Sequence, residues 1–255
     1  MRAAAKLAIS GFIAVLAMMK PDATQAAEIV VLTNQGVVSA VRELAPAYER
    51  ASGNKVVVNY EVGPAFTAKI NSDASGDLVT QARDGMDDLV KRGKVVAGTR
   101  ADFARAAIGV AVKAGAAKPD ISTADAFKRT MLAATSIAYS RAGASGLYMA
   151  KLMERLGIAD AVKAKTKLVD GVPVAEVVAK GEAEIGMQQI NVILPIGGID
   201  YVGPLPRELQ DYVVFAAAVL TVSKQPEAAT AMIRFMAEPA AAPLIRRGNM
   251  EPPVP

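Results

Sequence analysis

The sequence predicts an α/β chain built on a mostly parallel sheet with helices on both faces. Short β-branched runs alternate with amphipathic Ala/Leu/Val stretches, which is the pattern of successive βαβ units. Several of the junctions are polar turns that carry Gly. With 255 residues, 52% of them hydrophobic, the chain has ample core for one large domain or two smaller ones.

The elements follow in order. Arg2 and Lys6 form a positive n-region ahead of the apolar run Leu7–Met19, which suits a secretory signal and is short for a bilayer span; a retained anchor is the alternative. Small residues at Thr24 and Ala26 suit cleavage after Ala26, so 1–26 is expected to be a signal peptide and the mature chain to be periplasmic. Glu28–Thr33 is the first strand, and Val37–Ser52 its helix, stopped by Gly53. Lys55–Tyr60 alternates as a second strand before a short helix at Ala65–Ser72. Gly76–Gln81 is a third strand, and Gly85–Lys91 a helix ending near Gly93.

Ala106–Lys113 reads as a strand buried on both faces. Ser122–Thr130 is a helix with Ser122 as N-cap and Asp125 at N3, where a carboxylate suits the dipole. Ser136–Ser140, Lys165–Val169 and Ile185–Gln189 are strands, interleaved with helices at Gly146–Leu156 and Pro173–Lys180, the latter with Pro in its first turn. Ile199–Val202 and Val213–Thr221 close the strand series, Pro226–Met236 is a late helix, and the segment from Glu251 to Pro255 reads as a tail.

The absences narrow function more than the abundances do. With no Cys there is no disulfide framework, thiolate metal site or Cys nucleophile. With no His there is no His-based triad and no imidazole metal site, which leaves carboxylate, Lys, Tyr or Arg for chemistry. No metal and no cofactor are expected. The net charge is +4, but the signal would take Arg2, Lys6 and Lys20 against only Asp22, lowering it to +2. There is no run of five basic residues and only 5% aromatic content, so a nucleic-acid surface is not expected.

In open α/β sheets, ligands bind beyond the carboxyl ends of strands, where the next helix presents free N–H groups. Four loops have that form: Thr33-Asn34-Gln35-Gly36, Glu61-Val62-Gly63-Pro64, Ser140-Arg141-Ala142-Gly143-Ala144-Ser145-Gly146, and Asp170-Gly171-Val172-Pro173. A fifth strand end, Gly186-Met187-Gln188-Gln189, adds two amides. Each taken singly is also ordinary turn or sheet chemistry, and Arg141 is equally a solvated surface cation. Taken together they describe a cleft for a small anion. Its expected binding residues are Asn34, Gln35, Gly36, Gly63, Pro64, Ser140, Arg141, Ser145, Gly146, Val172, Gln188 and Gln189.

These stretches resemble the periplasmic molybdate-binding-protein-like family of type II solute-binding proteins. The resemblance rests on Ile29–Gly36, Glu43–Glu49 with Ser52–Val56, Gly76–Thr80, Met86–Val90 and Lys180–Gly186. It implies a two-lobed, periplasmic-binding-protein-like fold with the ligand cleft between the lobes, residues 27–105 and 214–255 forming one lobe and 106–213 the other. The family's oxyanion binders place hydroxyl residues where this chain has Gly36 and Gly63-Pro64, and a Tyr near Gln189. An organic carboxylate therefore suits the donors better than molybdate.

The resemblance implies a monomeric capture protein of an ABC-type importer, partnered by an inner-membrane permease. The alternative it implies is an enzyme on the same scaffold, similar to aconitate isomerase, which moves a proton within a tricarboxylate. On that alternative Arg141 would supply charge, and Glu61, Asp170 or Tyr148 would carry the proton.

Overall fold

The computed structural model describes residues 26–72 and 76–253. Apart from Ala26, the expected signal peptide lies outside the described residues. The strands are β1 (Glu28–Asn34), β2 (Lys55–Glu61), β3 (Leu78–Ala82), β4 (Ala101–Lys113), β5 (Ile137–Ser140), β6 (Thr166–Val169), β7 (Ile185–Gln189), β8 (Ile199–Pro204) and β9 (Tyr212–Val219). Between and after them run α1 (Val38–Ser52), α2 (Gly63–Asn71), α3 (Arg83–Lys91), α4 (Ala124–Ala133), α5 (Ala144–Arg155), α6 (Ala159–Lys163), α7 (Val174–Ala179), α8 (Ile190–Ile193), α9 (Pro226–Ala237) and α10 (Ala242–Arg247).

The α/β class stands, with a more mixed sheet than the sequence suggests. Strand order is β2-β1-β3-β9-β4-β7-β5-β6, with β8 also on β4. Parallel pairing holds toward the two edges, β2-β1-β3 and β6-β5-β7. At the centre, β9 and β4 run antiparallel to their neighbours. Those two strands carry the chain between halves of the molecule, and a returning strand cannot be parallel to both sets it joins.

β4 is the longest strand and begins five residues before the expected Ala106. Its first part, Ala101–Ala107, pairs with β9, and Ile108–Val112 pairs with β7. The core divides at the same place. Ile29, Val31, Leu44, Phe103, Phe215 and Met232 pack together on one side, while Ile108, Phe127, Met131, Ile137, Met149 and Met187 pack on the other. The N-terminal part of β4 was missed because Asp102 and Arg105 interrupt its apolar run; they are held by Arg83 and Glu251.

Three smaller differences have local causes. The cap of α4 is Thr123, whose hydroxyl accepts from the Ala126 N–H at 3.1 Å, because Ser122 is drawn back by its own N–H donating to Asp120. This puts Asp125 one position earlier in the first turn than N3. The C-terminal segment is not a free tail at Glu251: its backbone exchanges two 2.8 Å hydrogen bonds with Arg105, and its carboxylate accepts from the Arg105 guanidinium at 2.6 Å. The short helices α6, α8 and α10 are too brief to leave a readable period.

Candidate functional site: facing strand ends

The wall from the N-terminal half is set by β1 and β2, which pair in parallel so that Asn34 lies opposite Glu61. Asn34 turns the chain by accepting, through its side-chain oxygen, the Gly36 N–H at 3.0 Å. Beneath the turn, Thr33 and Thr80 share a buried 2.8 Å hydrogen bond. Gly36 is close-packed: a Cβ there would lie 3.0 Å from two Phe215 ring carbons and 3.3 Å from the Asn34 oxygen. A larger residue there requires the Phe215 ring to give way by a few tenths of an ångström.

Gly63 and Pro64 open α2 beside this turn, and Glu61 is paired with Lys69 at 3.1 Å. Tyr60, which strand-end reasoning passed over, stands partly exposed next to this loop with the Arg42 guanidinium 5.7 Å from its ring centre. Burial pushes the Tyr60 phenol above its ordinary pKa. The Arg42 charge and the neighbouring Gln35 amide pull it partly back, and the Glu176 charge, from the opposite wall, adds to the rise.

The facing wall comes from the parallel set β6-β5-β7. Ser140 accepts the Gly143 N–H at 3.0 Å, closing the turn into α5. Ser145 and Gly146, in the first turn of α5, are buried. The Ser145 hydroxyl donates to the Gln189 side-chain oxygen at 2.8 Å. The Gln188 oxygen accepts from the Val174 N–H at the start of α7, also at 2.8 Å. Both glutamines sit at the end of β7 and are about 5% exposed. Val172, two residues before Val174, is exposed.

The two walls meet. The Gln188 amide nitrogen donates to Gln35 at 3.4 Å, and Asn191, just past β7, donates to the Gly36 carbonyl at 3.0 Å and to the Ser39 hydroxyl at 3.1 Å. The sequence-expected residues Asn34, Gln35, Gly36, Ser145, Gln188 and Gln189 are thus joined in one connected set. Arg141 stands differently: it is paired with Asp170 at 2.6 Å, and both side chains are more than half exposed. Tyr148 donates to the Leu209 carbonyl at 2.6 Å and accepts from Arg155 at 3.1 Å. Neither of these two makes a described contact with the opposite wall.

Arg42, Tyr60, Glu176 and Asn191 were not singled out by sequence. Tyr60 precedes the Glu61 loop by one residue and Asn191 follows Gln189 by two, so widening each strand-end window would have included both. Among the described residues no cluster of three or more Asp or Glu is placed to hold a metal ion, and no helix is long and apolar enough to cross a membrane.

The family described as bacterial extracellular solute-binding protein matches residues 29–249. An aconitate isomerase from a Pseudomonas species is 35% identical over 230 residues, covering 88% of this chain and 87% of that protein. The molybdate-binding protein ModA of Azotobacter vinelandii is 26% identical over 231 residues, covering 88% and 90%. The solved periplasmic molybdate-binding protein of Azotobacter vinelandii has a TM-score of 0.72 at 19% identity, over 89% of this chain and 99% of that one. At that identity the likeness speaks for the fold, and it is the two-lobed type II fold that the resemblance implied. Since the match runs from the first strand of the sheet to the segment after its last helix, the chain belongs to the bacterial extracellular solute-binding proteins.

Proposed function

We propose that the cleft captures a small organic anion with more than one carboxylate, as the periplasmic solute-binding component of an ABC-type importer. The observation that carries this is the donor set. The amides of Gln35, Gln188 and Gln189 and the Ser145 hydroxyl bond one another where the two walls join, bonds that on this reading are exchanged for the ligand's oxygens, and Arg42 lies over the Tyr60 ring on the first wall. Amides spread over two walls suit several separated oxygens, and a guanidinium suits a carboxylate. On this proposal residues 1–26 are removed on export. Residues 27–105 with 214–255 and residues 106–213 act as lobes hinged along β4, and the monomer delivers its ligand to an inner-membrane permease.

A second reading is favoured by the 35% identity to an aconitate isomerase across nearly the whole chain. On it the same cleft holds a tricarboxylate and moves one proton between carbons. Glu61, Asp170 and Arg141 are committed to ion pairs and Tyr148 to a carbonyl. A base in this cleft would have to be freed from such a partner before it could take the proton.

One experiment separates these readings. The mature protein is melted with molybdate, sulfate, succinate, citrate and trans-aconitate, and is also incubated with trans-aconitate while the cis isomer is followed by chromatography. A ligand at a hundredfold excess over its Kd should raise the melting temperature by about 5–10 °C. A shift with a polycarboxylate and no conversion supports capture; conversion supports the isomerase. A shift with molybdate or sulfate alone overturns the organic-anion proposal.

A further inference from the structure

The turn at Gly36 is held from both sides. Its N–H is taken by Asn34, within the turn itself. Its carbonyl is taken by Asn191, which lies 155 residues further along the chain at the start of the helix that follows β7. The same Asn191 amide nitrogen donates to Ser39, in the first turn of α1. Asn191 is 2% exposed, and its side-chain oxygen is buried with no partner among the described residues. A buried acceptor left unpaired is unfavourable, a cost that the two donor bonds from the same amide offset.

The geometry points to Asn191 as the positioning residue of the cleft. It fixes the Gly36 turn of one half against the strand end that carries Gln188 and Gln189 in the other, and so sets the spacing of the two walls before a ligand arrives. This deepens the cleft reading above and rests on it. Both donor contacts run from one planar amide whose nitrogen alone has hydrogens, so the function depends on an N–H donor at this position and not on side-chain volume. Preorganisation of this kind lowers the ordering that binding must otherwise impose.

The chain contains no Cys, so paired spin labels attach only where Cys is introduced. Ala51→Cys and Lys163→Cys place one label on an exposed site in each half. Distance distributions are measured without ligand in the parent, Asn191→Ala and Asn191→Asp backgrounds, and trans-aconitate affinity is measured alongside. The expected result is one narrow distribution in the parent and a broader one, reaching longer distances, in Asn191→Ala. Affinity should fall roughly tenfold or more, as for losing two neutral hydrogen bonds. Asn191→Asp should broaden the distribution once its carboxylate is ionised, because Ser39 can turn to donate to it but the Gly36 carbonyl can only be repelled, and should narrow again on acidification, when one O–H can reach that carbonyl.

Unchanged distributions in both variants overturn the proposal, as does an Asn191→Asp protein insensitive to pH. If the parent binds no polycarboxylate, the cleft reading fails while the ligand-free distances still judge Asn191. If the parent binds and Asn191→Ala binds equally well at unchanged distances, Asn191 has no positioning role and the cleft reading stands.

Discussion

Gly146→Ala is the sharpest test of how the wall from the β6-β5-β7 set is built. Gly146 lies in the first turn of α5, pressed against the end of β5. A Cβ there would overlap the Ser140 carbonyl oxygen, with the Ser140 carbonyl carbon 2.6 Å away and its Cα 3.1 Å away. All three atoms are backbone, so no rotamer change relieves the contact; α5 must move off the strand, carrying the Ser145 bond to Gln189 with it. Overpacking of this kind costs about 3 kcal/mol at the upper end of its usual range. The gain in helix propensity from Gly to Ala offsets about 1 kcal/mol. A net loss of about 2 kcal/mol should lower the melting temperature by about 4–8 °C in a protein of this size. Circular dichroism melts of the parent, Gly146→Ala and Gly197→Ala provide the assay, because a Cβ at Gly197 meets nothing within 4 Å. A Gly146→Ala protein melting within about 1 °C of the parent would refute the close approach of α5 to β5.

Gly36→Ala should destabilise by about 1–2 kcal/mol through the Phe215 ring, and Phe215→Leu should absorb part of that loss; additive losses in a double-mutant cycle would show that the ring is not the obstacle. Asp77, 5% exposed, accepts from the Val30 N–H with one oxygen and from Ser223, Lys224 and Gln225 with the other. Asp77→Asn turns an NH2 group toward one of those donors and should cost about 2–3 kcal/mol, read as a lowered urea midpoint; an unchanged midpoint contradicts it. Burial pushes the Tyr201 phenol to about 12, above its unfolded value near 10. Its neutral form is favoured in the folded chain, so its contribution is complete below pH 10 and is lost as pH rises from about 10 to 12. Melting temperatures across that range should fall less steeply for Tyr201→Phe than for the parent, and equal slopes would discount Tyr201 as a cause.

What the sequence determined by itself is local. The first strand and its Gly36 turn, the β7 strand with its terminal glutamines, and the Gly-bearing loops at strand ends are legible because periodicities of 2 and 3.6 and turn chemistry act over a few residues. The strand-end rule then places those loops at the cleft without knowledge of the partners across it. Tertiary structure decided what depends on distant chain segments meeting. Asp102 and Arg105 look like the break before a strand until Arg83 and Glu251 neutralise them, and only then does β4 extend through both halves. Arg141 reads as a free cation until the end of β6 brings Asp170 to it. Asn191 sits two residues past the β7 strand end, so its place was within reach of sequence, but its role was not, since both groups it holds lie more than 150 residues away. Hydrogen bonds and ion pairs reach only about 3–4 Å, so they form between whichever residues the sheet order makes neighbours. That order is set by the packing of two cores along one shared strand, which no local window of sequence contains.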